Sequence, residues 1–100
     1  MRREIPKPPT GLLPESKRYW REIHSELAFS AAERGIVMTL IRNYDLALIC
    51  LAEIQKDGVT VSSNRTGVQK KNPSIDLYRV ATSAYLQAAR LLGLKENLPG

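Results

Sequence analysis

Apolar residues recur at Val37, Leu40, Tyr44, Ala47, Leu51 and Ile54, alternating steps of three and four over almost three heptads. The spacing predicts a helix over 31–57, roughly 40 Å long at 1.5 Å per residue. Ser30 and Glu33 stand three apart just ahead of it, the signature of a capping box. Ile41 and Leu48 widen the apolar stripe on one side, and Met38, Leu46, Ile49 and Cys50 extend it further. One neighbouring helix cannot cover so broad a surface. The pattern therefore predicts that both other helices pack on it and that part of it, Val37, Leu40, Ile41, Tyr44, Leu48 and Leu51, meets another subunit.

Two shorter helices flank this one. Pro14 can open a helix over 15–28, whose buried stripe is Trp20, Ile23 and Leu27. Asn72 and Pro73 form an N-cap and a first helical residue for a helix over 73–92. Gly93 can close that helix in the left-handed conformation while Leu94 folds back on the last turn. Its core face reads as Leu77, Tyr78, Ala81, Ala84, Tyr85, Ala88, Leu91 and Leu92, with alanines allowing close approach. Between Gly58 and Asn72, β-branched Val59-Thr60-Val61, the turn signal Asn64-Arg65-Thr66-Gly67 and the return segment Val68–Lys71 read as a short hairpin or a flexible loop. The expected fold is mainly α: a three-helix core with a long central helix and a short β-hairpin before the last helix, assembling into an oligomer.

Pro6, Pro8 and Pro9 disfavour a helix near the start. The expected organisation is a flexible, proline-rich basic arm over 1–13, a helical domain over 14–94 and a short tail over 95–100. With 100 residues the chain makes one domain at most and is marginal as an isolated monomer. A hydrophobic fraction of 43% and a charged fraction of 25% are those of an ordinary globular domain. The one cysteine cannot form an internal disulfide, which suits a reducing cytoplasm, and no uninterrupted apolar run suggests a membrane partner.

Charge changes the picture more than composition does. The net charge is +5, with basic ends and an acidic middle. Arg2, Arg3 and Lys7 lie on the arm, Lys17, Arg18 and Arg21 within about a turn of the first helix, and Arg65, Lys70 and Lys71 at the hairpin and the adjoining helix N-terminus. Each alone reads as a solvated surface charge. Clustered at two flanks, they point to a polyanionic partner such as nucleic acid, or to contact between copies. The aromatics fall on apolar stripes and read as core.

Catalysis finds little footing. His24 and Cys50 are the only residues of their types, and without a third group to orient the base they read as a partly buried histidine and a core thiol. No His, Cys and carboxylate cluster has metal-ligand spacing, no glycine loop cradles a phosphate, and no cofactor is implied.

The order of these signals resembles a known family. A proline-rich start leads to Tyr19-Trp20-Arg21-Glu22-Ile23. A long helix with Asp45 and Leu48 ends at Gly58, a polar hairpin leads to Lys71-Asn72-Pro73, and the last helix ends at Leu92-Gly93-Leu94. Over residues 6–94 this is similar to the small terminase subunits of tailed bacteriophages, most of all those of cos-type phages. The resemblance implies a non-enzymatic subunit that assembles into a ring in the host bacterial cytoplasm. It would bind double-stranded viral DNA, deliver it to the large ATPase and nuclease subunit and regulate that subunit. The family has no motif that fixes the DNA contacts, so the nine basic residues named above rest on charge. The competing reading is a helical protein-interaction adaptor without DNA affinity.

Overall fold

The computed structural model describes residues 4–62 and 69–95, with side chains left aside at 61, 62 and 69. The chain runs α1 (Pro14–Glu26), α2 (Ala31–Asp57), β1 (Thr60–Ser62), β2 (Gln69–Lys71) and α3 (Pro73–Leu92). The turn expected at Asn64–Gly67 lies outside the described residues. The two strands pair antiparallel, with Val61 opposite Lys70.

Local chemistry sets the boundaries. Ser30 Oγ accepts the Glu33 N–H at 3.2 Å, and the Ser30 N–H donates to Glu33 Oε1 at 2.9 Å, completing the capping box of α2. The bond to Ser30 holds the Glu33 carboxyl below the usual glutamate range. Gly93 takes φ 70°, and the Leu94 N–H reaches the Ala89 carbonyl while the Gly93 N–H reaches that of Arg90. That is the Schellman closure, with Leu94 packed against the core. α1 has no side-chain cap of its own. Asp45 of α2 fills the gap: its Oδ1 accepts the Leu13 N–H at 2.9 Å and the Ser16 hydroxyl at 2.7 Å.

The core sits where all three helices meet. Tyr19, Tyr44 and Tyr85, one from each helix, meet there: Tyr19 stacks on Tyr44 with ring centroids 4.4 Å apart, and Tyr85 lies tilted against Tyr44 at 5.6 Å. The Tyr19 and Tyr85 hydroxyls share a 2.8 Å hydrogen bond. Burial first, and that bond second, push the Tyr19 hydroxyl pKa far above the ordinary tyrosine value. Val37, Leu40, Ile41, Ala88 and Ala89 belong to the same cluster, all nearly solvent-free. α1 and the C-terminal half of α3 thus both pack on the N-terminal half of α2, and the rest of the α2–α3 hairpin projects beyond α1.

Four expectations need correction. α1 ends at Glu26, and Leu27 is exposed instead of completing the stripe of Trp20 and Ile23. The α3 face splits: Ala81, Tyr85 and Ala88 point inward, whereas Leu77 and Leu91 are exposed. Val37, Leu40, Ile41 and Tyr44, expected at a subunit contact, are sealed inside the protomer; only Leu48 and Leu51 of that set keep partial exposure. Finally, the described part of residues 1–13 is not a free arm, because Leu12 is buried and the Trp20 indole N–H donates to the Pro6 carbonyl at 2.7 Å. A window of 18 residues in α2 has a mean hydropathy of 1.5, apolar enough for a membrane span by length and composition. Its inward stripe is the centre of the protein core.

Candidate nucleic-acid interface

The basic residues fall into three places. Lys17, Arg18 and Arg21 are exposed on α1. With Asp45 capping α1 and Tyr19 on Tyr44, that helix is fixed along α2. The three cations therefore ride on a rigid element, with Arg18 and Arg21 one turn apart.

Lys7 lies elsewhere. It lines a groove of about 600 Å³ together with Glu4, Trp20, His24, Arg34 and Met38. Arg34 was not singled out by the sequence. Its position one turn into α2 carried no sign that the N-terminal segment would fold over it. The His24 Nδ1–H donates to the Trp20 carbonyl at 2.8 Å, and the ring packs on Trp20 and edge-on to Phe29. Its apolar faces are thus used for packing. Cys50 is buried, and desolvation pushes its thiol pKa up, the reverse of what a nucleophile requires.

The third group stands on the hairpin. Lys70 and Lys71 are both exposed, and on a pleated strand they project to opposite faces. Lys71 Nζ lies 2.8 Å from Asp76 Oδ1 in the first turn of α3 and holds that carboxyl below its ordinary range. An external anion would have to compete with Asp76 for it. The N-terminus of α3 is likewise occupied. Asn72 Oδ1 accepts the Ser74 N–H at 3.1 Å, and its Nδ2 donates to the Gly58 carbonyl at 2.9 Å. The Ser74 hydroxyl in turn donates to Glu53. Gly58 follows Asp45 by thirteen residues, so the hairpin lies about 20 Å along α2 from the start of α1. The fold keeps the two cationic groups apart. Arg2, Arg3 and Arg65 lie outside the described residues.

Residues 15–96 match the family model described as phage terminase, small subunit. The chain belongs to that family. The match runs from the start of α1 past the end of α3. Neither curated proteins nor solved structures gave a match. Membership ties the chain to phage DNA packaging and to a family whose small subunits are generally non-catalytic. Within this small terminase chain, the residues that hold the helices together, Asp45, Tyr19, Tyr85 and Asn72, all lie inside the matched region. The clasp of Pro6 on Trp20 begins outside it.

Proposed function

We propose that this chain is the DNA-recognition and regulatory subunit of a packaging terminase of the cos-type group. In this reading residues 14–94 form the working domain and 95–100 a short tail. Several copies form a ring in the host cytoplasm, bind double-stranded viral DNA, and pass it to the large ATPase and nuclease subunit while regulating it. The observation that carries the reading is the exposed set Lys17, Arg18 and Arg21 on a helix held to α2 through Ser16 and Tyr19, within a chain of the small terminase family. Rigid placement matters, because phosphate contacts made by ordered side chains fix the register of a protein on a duplex. In a closed assembly the same three cations recur around a circle, and their attraction adds up.

The test is retardation of a short duplex over a series of salt concentrations. The logarithm of the binding constant should fall linearly with the logarithm of salt, because neutralised phosphates release counterions. Reversing Lys17, Arg18 and Arg21 to glutamate should weaken binding by about a hundredfold or more at low salt. Reversing Lys70 alone should cost about tenfold or less. Absence of any retardation at low salt would remove the DNA reading and leave the adaptor reading standing.

A further inference from the structure

A helix used only inside one protomer needs one apolar stripe. α3 carries two. The inward stripe is the buried one of Ala81, Tyr85 and Ala88. The second runs Leu77, Val80, Ala84, Gln87 and Leu91, with the alternating three-and-four steps of a heptad seam. It lies one residue behind the inward stripe, so about 100° round the helix. Leu77, Val80 and Leu91 are 50%, 65% and 72% exposed. The seam also has relief. One shallow depression opens beside Val80 over Ser83 and Ala84, a second beside Leu91, and both reach Gln87. Projecting side chains next to hollows are what a second helix interlocks with.

The surface area agrees. A monomer of 11.2 kDa exposes about 5,700 Å² by the usual scaling, whereas this chain exposes 7101 Å². The excess, about 1,400 Å², approaches two standard contact faces of about 800 Å² each. α2 shows the same imbalance: only 39% of its 18-residue apolar window is buried within the protomer.

We infer that the outward seam of α3 is the face on which a second copy of this chain packs, helix against helix. The inference rests on the oligomeric part of the reading above and supplies the surface, which is not the one the sequence pattern pointed to. A second copy fits better than a lipid phase because Gln87 sits mid-seam. A facing helix can satisfy its amide and use it to fix register, whereas hydrocarbon leaves it unpaired.

The test is sedimentation velocity of the full chain at micromolar concentration, alongside duplex retardation on the same samples. The wild-type chain should sediment as an oligomer. Val80→Glu with Leu91→Glu should weaken association at least tenfold while helical circular dichroism stays unchanged, since both side chains are mainly in solvent. As a second variant, Val80→Cys in a Cys50→Ala background should give a reducible covalent dimer on oxidation. A wild-type chain that stays monomeric would overturn the inference, as would a Val80→Glu, Leu91→Glu chain that keeps the wild-type mass. Flotation of a monomer with phosphatidylcholine–phosphatidylglycerol vesicles would also overturn it. Loss of the oligomer in variants of a chain that retards no DNA would support the seam and remove the DNA reading, so the two fail separately.

Discussion

Asn72 joins three pieces of the chain with one side chain. Its oxygen caps α3, its amide holds the carbonyl of Gly58 at the end of α2, and its backbone N–H closes on Val59 beyond the hairpin. The residue is almost wholly buried. Asn72→Ala removes a cap and leaves a carbonyl without its donor, at an expected cost of about 2 kcal/mol in urea unfolding. Asn72→Asp keeps the acceptor and loses the donor, and should fall between that variant and the wild-type chain. The cap was legible in the sequence because it acts over two residues. The bond to Gly58 was not, because it spans fourteen and depends on how tightly the hairpin folds back. Asp45 is a similar case: as a mid-helix aspartate it gave no sign that it would cap a different helix from twenty-nine residues away.

At the scale of elements, helix ends were legible and helix faces only partly. Ser30, Asn72, Gly58 and Gly93 mark boundaries by local chemistry, and the structure puts the boundaries of α2 and α3 where that chemistry does. Faces are harder, because apolar positions on α3 follow two phases and spacing does not say which phase its own core uses. Two glycines allow a paired check. Gly93 needs its left-handed φ of 70°, so Gly93→Ala should destabilise the chain by about 1 kcal/mol. Gly35 sits inside α2 with open space where a Cβ would go, so Gly35→Ala should stabilise by about 0.5–1 kcal/mol. Thermal unfolding should show the two moving in opposite directions. Acid should act on the start of α2. The Glu33 carboxyl is held below its ordinary range, so the folded chain keeps it charged where the unfolded chain takes up a proton. Its contribution is complete above the unfolded-chain value, about pH 4.3, and is lost as pH falls through the lower folded value. Asp76 has the same sign. Glu33→Gln keeps the capping geometry without the charge, and should flatten the acid limb of a stability-against-pH curve below about pH 5.

The whole molecule is elongated, with extents of 62 × 23 × 19 Å and a radius of gyration of 16.2 Å, against about 13 Å for a compact chain of this length. Charge partitioning between the ends was visible in the sequence. The separation of the α1 cations from the hairpin cations was not, because it follows from where α1 docks along α2. The N-terminal segment is the other whole-molecule surprise: a run of prolines that reads as loose chain instead covers Trp20. Removing residues 1–8 should free the indole N–H, shift tryptophan emission to longer wavelength and lower stability by about 1 kcal/mol in urea. The hydroxyl bond between Tyr19 and Tyr85 bridges 66 positions. During synthesis, then, the first helix can settle on α2 early, but its tyrosine hydroxyl has no counterpart until the ribosome has made almost the whole polypeptide. A product cut short before residue 85 would leave tyrosine and aliphatic surface open to host proteases, so quality control of this subunit is set by its last quarter.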